Sequence, residues 1–287
     1  MPESEVAIHA IPMPRRPRTI ESEIDAAYED GDFDQADSLL RRAIQEQYTD
    51  GERIDMFYRF GLKHISSVYH KLIAEVKTEG ILSEERTEEA SDIYAWATVL
   101  LETSLDELNA LQSSEQTAEA VALSKRLSGV IDEIIIFTLL AREFCITGRF
   151  VPIPATLEQD KFASKKDGNK SIDFQIFDLM DRDEGEPKII PLQVKHHVRK
   201  SELEEYEPSI VLVGIVNLFN NQQIYGSDSV ARALIREVKA LPPLDRDEKH
   251  MNEAVYNLLR TLDHWTTYKR REALKKATAK ETTPIAS

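Results

Sequence analysis

The sequence contains a single cysteine, Cys145, among its 287 residues. One cysteine excludes an internal disulfide framework and any zinc site built from several cysteines. No apolar run approaches the ~18 residues that a membrane-spanning helix needs. Residues 1–18 also lack the apolar core of a secretory signal peptide. We therefore expect a cytoplasmic protein without a membrane partner.

Several motifs that mark large enzyme classes are also missing. There is no P-loop, no G-x-S-x-G, no H-E-x-x-H and no dinucleotide-binding fingerprint. Each of these motifs places defined groups around a phosphate, an acyl group, a zinc ion or a cofactor. Their absence leaves P-loop hydrolases, α/β-hydrolases, zinc peptidases and dinucleotide-dependent enzymes without support.

The chain is acidic, with a formal net charge of -15 at pH 7. This balance is unfavourable for a nucleic-acid-binding protein, which usually presents a basic surface to the phosphates. The acidic excess lies early, however, in residues 21–37 and 84–92. The C-terminal part is basic, through Arg260, Lys269, Arg270, Arg271, Lys275, Lys276 and Lys280. The asymmetry allows a basic surface on an acidic protein.

Composition and periodicity divide the chain into four regions. Residues 1–18 combine prolines with arginines and are expected to form a disordered arm. Residues 19–125 have helical periodicity almost throughout and are predicted to form a helical domain. Residues 126–245 contain the strand patterns. Residues 246–287 are predicted to form a C-terminal basic helix and tail.

Within the helical domain, the turn at residues 30–32 joins two short helical segments. This segment resembles one tetratricopeptide-type hairpin, and a single copy predicts a helical pair, since a solenoid needs about three repeats. Longer amphipathic helices are predicted over residues 54–76 and 84–111. A further helix is predicted over residues 114–144, with a break close to Gly129.

The following region alternates in the manner of β-strands. Strands are predicted at residues 149–153, 172–179, 188–196 and 210–219. Asp167 and Gly168 are typical of a hairpin turn between the first two strands. Ser201 and Glu204 are typical of a capping box that opens a short helix. Pro191 removes a hydrogen-bond donor from the third strand and favours an edge or irregular position.

Alternation along the second and third strands places polar residues on a common face. Ile172 and the next two alternate residues are apolar and share one face, so Asp173 lies on the other. In the third strand Ile190, Leu192 and Val194 share one apolar face, which leaves Gln193 and Lys195 together on the other. If the apolar faces align, Asp173, Gln193 and Lys195 converge on one surface.

A carboxylate pair precedes these strands on the predicted helix. Glu133 lies within an apolar stripe, where a carboxylate needs a cation, hydrogen-bond donors or a metal to be tolerated. Asp132 has a slightly more polar surround and is the second candidate. His196 and His197 follow the third strand, a position where histidines are usually structural or solvated.

These residues together resemble the core of the PD-(D/E)xK nuclease superfamily. The similar segments are residues 129–133 (GVIDE) on the helix, 171–174 (SIDF) on the second strand and 193–195 (QVK) on the third. The resemblance implies an α+β protein, in which the helical N-terminal region precedes a restriction-endonuclease-like αβββαβ core with a mixed sheet flanked by helices. Residues 126–245 would then form the nuclease-like domain.

The resemblance also implies a site and a reaction. Glu133, Asp173, Gln193 and Lys195 would be catalytic, and Mg²⁺ or Mn²⁺ would be the cofactor. Asp173, Gln193, the backbone carbonyl of Val194 and Glu133 would hold the metal, since hard oxygen ligands suit Mg²⁺. The reaction would be hydrolysis of phosphodiester bonds in nucleic acid, DNA or RNA.

Two departures from the family pattern keep other functions open. Gln193 stands where most members have Glu or Asp, and Ser171 and Ile172 replace the usual proline or glycine turn. One alternative is a catalytically inactive nuclease-fold module that binds nucleic acid. The other is a helical interaction scaffold, in which the N-terminal helical region binds a protein partner or a second copy of the chain.

Overall fold

The computed structural model describes residues 19–48, 54–79, 84–113, 117–155, 171–183, 186–199, 201–202, 210–218 and 226–281. These residues form an α+β fold, in which helices come first and a four-stranded mixed sheet flanked by helices follows. The predicted fold class is confirmed. The predicted arm at residues 1–18 and the hairpin turn at Asp167 and Gly168 lie outside the described residues.

Helices come first and four strands follow, as predicted. Most of the short helix predicted to open at Ser201, with Glu204 of its capping box, lies outside the described residues. The N-terminal helices are α1 (Ile20–Glu29), α2 (Phe33–Tyr48), α3 (Ile54–Glu79), α4 (Glu84–Ser113) and α5 (Ala118–Thr147). The strands are β1 (Phe150–Pro154), β2 (Phe174–Asp183), β3 (Glu186–Lys195) and β4 (Val211–Gly214). The remaining helices are α6 (Ile215–Leu218), α7 (Gly226–Val238) and α8 (Asp245–Glu281). The sheet order is β1-β2-β3-β4, antiparallel except for the parallel pair β3 and β4.

The first two helices form the predicted helical pair. Thr19 caps α1 by accepting a hydrogen bond from the Ser22 backbone N–H at 3.3 Å. Gly31 makes the turn with a φ of +75°, a conformation that glycine adopts without strain. The pair has a small apolar core of its own. A buried ion pair between Asp25 of α1 and Lys63 of α3, at 2.9 Å, joins it to the rest of the protein.

One large hydrophobic core connects the remaining elements. It contains buried residues from α3, α4, α5, all four strands, α7 and α8. The rings of Phe137 on α5 and Phe174 on β2 lie 6.2 Å apart within it. Helix α5 spans the boundary expected between residues 125 and 126, so helices and sheet share this core. Among the described helices, none combines the length and apolar character needed to span a membrane.

Helix α5 is continuous, and the predicted break near Gly129 is wrong. Residues 134–141 that follow the glycine are all buried, which holds the helix in place. A glycine in a helix interior costs only about 1 kcal/mol relative to alanine, and such packing easily offsets that cost. Gly129 itself is exposed, with no atom within 4 Å of the position that a Cβ would take.

The strand predicted over residues 210–219 is also wrong in its second half, because β4 ends at Gly214 and α6 begins at Ile215. The side chain of Asn217 explains the change of direction. Its Oδ1 accepts a hydrogen bond from the Val198 N–H at 2.8 Å, and its Nδ2 donates to the Val198 carbonyl at 3.0 Å. Ile215 remains buried, so the apolar pattern continues through a helical turn.

Pro191 sits at the point where pairing on one side of β3 begins. On the β2 side it lies opposite Gln175. On the other side, the described pairing with β4 starts one residue later, where Leu192 lies opposite Val211. Among the described residues Pro191 therefore has a strand partner on one side only, in agreement with the expected edge or irregular position, whereas β3 is an inner strand from Leu192 onward. The missing N–H of proline falls just outside the β4 ladder.

Two glycine-to-alanine substitutions test the role of the Asn217 contact. A Cβ at Gly214 would lie 2.2 Å from Asn217 Oδ1 and 2.9 Å from the Val198 nitrogen. We expect Gly214→Ala to lower the free energy of unfolding by about 1–3 kcal/mol, because the overpacked contact must shift. Gly129→Ala is the matched control, and we expect it to raise stability by up to about 1 kcal/mol. Urea unfolding measures both, and equal stability of the two variants would contradict the expectation.

Candidate functional site

Asp173 lies in a bend directly before β2, at the end of the sheet where the polar triplet lies. Its Oδ2 accepts a hydrogen bond from the Val194 N–H at 2.6 Å, and its own N–H donates to the Leu192 carbonyl at 2.9 Å. A charged acceptor makes a stronger hydrogen bond than a neutral one. The carboxylate is thereby held against the middle residue of the triplet.

Gln193 is buried, with 8% of its surface exposed. Its Nε2 donates a hydrogen bond to the Ser171 hydroxyl. Its Oε1 is buried and has no hydrogen-bond partner among the described residues. A buried acceptor without a donor carries a cost of about 1–3 kcal/mol. The amide therefore offers one hard oxygen that a cation or a donor from a ligand could satisfy.

Lys195 ends β3 and forms an ion pair with Glu202, a residue that no sequence motif indicated. Its Nζ lies 2.9 Å from Oε1 of Glu202, and both side chains are about 30% exposed. Glu202 also accepts a hydrogen bond from the Arg199 N–H at 2.8 Å. That backbone bond, followed by the contact with Lys195, lowers the pKa of Glu202. The spacing of seven residues between the partners crosses a turn, so strand periodicity could not reveal it.

The helix carboxylate that reaches this end of the sheet is Asp132. Its Oδ2 lies 3.0 Å from Nδ1 of His196, the residue after Lys195. Burial raises the pKa of Asp132 to about 6, the nearby Asp228 adds to the rise, and His196 opposes it. Glu133 is half-buried, and its proposed metal-binding role stays a prediction.

The face assignment of the second strand needs one correction. Phe174 and Ile176 lie in the main core, as predicted. Ile172 instead packs against Val198 and Leu212, in a small cluster separate from that core. The alternation therefore breaks at the bend that Asp173 occupies. Gln193 and Lys195 share a face by strand geometry, whereas Asp173 approaches the triplet from the bend.

The donor set allows only a limited range of metal sites. Across the described ranges, no three Asp, Glu, His or Cys side chains lie close enough together to hold a metal ion. Asp173, the unpartnered Oε1 of Gln193 and the Val194 carbonyl are nevertheless hard oxygen donors at one strand end. Mg²⁺ commonly binds through one or two carboxylates and keeps several waters. The residues fit a divalent ion of that kind, with Asp173 as the carboxylate among these donors.

Comparisons with protein-family models, with curated proteins and with solved structures find no match for this chain. Support for a function therefore comes from the chain's own residues, above all from Asp173, Gln193 and Lys195. Asp132 and His196 form a second polar pair beside them.

The pH dependence of stability tests the burial of Asp132. Its pKa rises from an ordinary value near 3.8 to about 6, so the folded state binds more protons between these pH values. Stability from this group is therefore present below pH 4 and is lost as the pH rises to 6. We expect the stability of Asp132→Asn relative to wild type to increase by roughly 1–3 kcal/mol between pH 4 and pH 7.

Urea unfolding of both proteins across this pH range measures the effect. Asp92→Asn, at an exposed position of α4, is the control and should show no comparable change. A stability difference between wild type and Asp132→Asn that does not vary with pH would contradict the burial of a charged Asp132.

Proposed function

We propose that the protein is a metal-dependent phosphodiesterase that acts on nucleic acid and has a PD-(D/E)xK-type core. The observation that carries the proposal is the hydrogen bond between Asp173 and the Val194 N–H, at 2.6 Å. It joins the residue before β2 to the middle of the Gln193–Lys195 triplet. The order of helix, three antiparallel strands and a parallel fourth strand supports the same conclusion.

Each residue of the site has a proposed role. Asp173, Gln193 Oε1 and the Val194 carbonyl would hold the divalent ion, with Glu133 as the further ligand that the resemblance implies. A bound Mg²⁺ or Mn²⁺ supplies a more acidic water and positive charge beside the phosphate. Lys195 would stabilise the negative charge that develops on the phosphate oxygens. Its surface ion pair with Glu202 is worth about 0–1 kcal/mol and exchanges readily for a phosphate.

Asp132 and His196 would handle protons beside this centre. A group must have a pKa near the working pH to exchange protons efficiently. Burial brings the pKa of Asp132 to about 6, and its contact with His196 connects it to the end of β3. The pair is therefore the proposed route for a proton leaving the attacking water.

A second candidate is a nuclease-fold module that binds nucleic acid without cutting it. Two observations favour it. Gln193 leaves the centre with fewer negative charges than the family pattern has, and Lys195 is already paired with Glu202. Binding of a protein partner or a second copy by the N-terminal helices stays a separate prediction.

Cleavage assays distinguish the two candidates. Wild type is incubated with Mg²⁺ or Mn²⁺ and with single- and double-stranded DNA and RNA. We expect Asp173→Asn and Lys195→Met each to lower the cleavage rate at least about 100-fold, the size of effect seen when one charge-stabilising group is removed. The control is Lys77→Met, because Lys77 pairs with the carboxylate of Glu186 on β3 at 2.8 Å and both side chains are exposed to solvent.

The control should retain the wild-type rate. If wild type cuts none of the substrates in either metal, the enzymatic proposal fails and the binding module remains. A rate unchanged in Lys195→Met would remove Lys195 from the catalytic set.

Restoring the acid of the family pattern tests the metal site directly. We expect Gln193→Glu to bind Mn²⁺ about tenfold more tightly, since a charged oxygen ligand replaces a neutral one. The Ser171 hydroxyl, which now accepts a hydrogen bond from Gln193, can donate to the new carboxylate. Calorimetric titration measures the affinity. Gln175→Glu on the neighbouring strand adds the same charge and should have little effect; an equal gain there would indicate only a general charge effect.

A further inference from the structure

A cleft of about 730 Å³ lies between β4 and the middle of α8. Val211 and Leu212 contribute to one wall. The other wall comes from α8, where Arg260, Tyr268 and Arg271 line the opening. This volume falls within the range of ligand-binding clefts.

The lining of the cleft is positive, although the whole chain is strongly negative. Arg260 and Arg271 are exposed, and His264 lies between them. Asp263 is the one acidic residue among the described lining residues. Its Oδ1 is paired with Arg149, outside the cleft, at 2.9 Å. The two arginines are therefore not neutralised by this lining and are suited to phosphate oxygens.

Aromatic side chains accompany these arginines. Tyr268 is 38% exposed at the mouth of the cleft. Trp265 also lines it, and its indole Nε1 is buried with no hydrogen-bond acceptor among the described residues. Lys269 lies over the Trp265 ring, with Nζ 5.2 Å from the ring centroid. Aromatic rings interleaved with cations are the features on which unpaired bases stack beside a bound backbone.

The cleft lies one strand away from the candidate site. Leu212, which lines the cleft, is the register partner of Gln193 on β3. Neighbouring strands are about 4.8 Å apart. A polymer that follows the cleft therefore passes close to the Gln193–Lys195 triplet.

We propose that this cleft binds a segment of single-stranded nucleic acid. Arg260 and Arg271 contact its phosphates, and Tyr268 and Trp265 contact its bases. A single strand is favoured over a duplex because only unpaired bases expose the faces that stack on aromatic rings. The choice of nucleic acid as the ligand rests on the proposed function. The cleft adds the substrate class, which is single-stranded nucleic acid.

Binding is measured in EDTA, so that no cleavage occurs. The probes are fluorescein-labelled oligo(dT) and oligo(U) of about twenty nucleotides and a duplex of the same length. We expect the single strands to bind, and Arg260→Gln/Arg271→Gln to bind them at least about tenfold more weakly. The plot of log affinity against log salt concentration should lose about 1.4 from its slope, the value for two phosphate contacts on a single strand.

Three further variants separate contact from folding and from overall charge. Arg260→Lys/Arg271→Lys keeps the charge and should retain most of the affinity. Arg41→Gln/Arg42→Gln removes the same charge from exposed positions of α2 and should bind as wild type does. Tyr268→Ala should weaken binding about tenfold through loss of stacking.

Tryptophan fluorescence reports contact with the cleft. The chain has two tryptophans, and Trp96 is 48% exposed on α4. In Trp96→Phe, Trp265 is the remaining reporter, and we expect its emission to be quenched by oligo(dT) or oligo(U). Whichever single strand binds more tightly identifies the DNA or RNA preference.

The binding and cleavage results distinguish the role of the cleft from the proposed phosphodiesterase activity. Single-strand binding that depends on Arg260 and Arg271 supports the cleft even if wild type never cleaves. Cleavage by wild type with unchanged binding in the arginine variant overturns the cleft but leaves the phosphodiesterase. The inference is also overturned if no probe binds, if the duplex binds and quenches Trp265 as well as the single strands do, or if the α2 control loses affinity equally.

Discussion

Helix α5 is buried on every side between residues 134 and 141, and the arrangement of the other elements depends on that burial. One side of the helix packs against α3 and α4, and another against β1 and β3. A surface helix shows an apolar stripe, whereas a helix that is apolar all round must be covered all round. The same packing fixes the rotation of α5 and thereby brings Asp132, rather than its neighbour, to His196 at the end of β3.

In the polar centre, the side chains that hold the end of the sheet together are also those proposed to bind the metal. Asp173 satisfies the Val194 N–H where the regular ladder ends, and a donor left unsatisfied there would be costly. A carboxylate that accepts this bond still has lone pairs for a second partner. In the side chain of Gln193 the amide N–H donates a hydrogen bond, whereas the Oε1 atom has no partner among the described residues. The site is thus held together by bonds that leave the Oε1 of Gln193 available.

Periodicity was sufficient to predict the long elements, because their pattern is repeated many times. The helices predicted over residues 54–76 and 84–111 appear as Ile54–Glu79 and Glu84–Ser113, and the four strands follow α5 as expected. The wrong prediction of a strand as far as residue 219 lies where a distant contact decides, because the end of β4 depends on Asn217 bonding to Val198. The contact between Asp132 and His196 depends on how α5 packs, which periodicity alone does not fix. Glu202 was missed because its partner lies across a turn.

The Asp25–Lys63 pair has a consequence for how the protein opens. Both side chains are buried, and both regain hydration if the α1–α2 hairpin leaves α3, so the pair contributes little net strength. The pair instead determines where the hairpin docks on α3, because any other docking would bury Lys63 without its carboxylate. The hairpin also packs on α3, where the rings of Tyr28 and His70 stack with centroids 4.2 Å apart. Its small core is nevertheless separate from the main core, so the hairpin is the unit that can open without disrupting α5. Backbone amide hydrogens of α1 and α2 should therefore exchange with solvent through a partial opening. Those of α5 should exchange only when the whole domain unfolds.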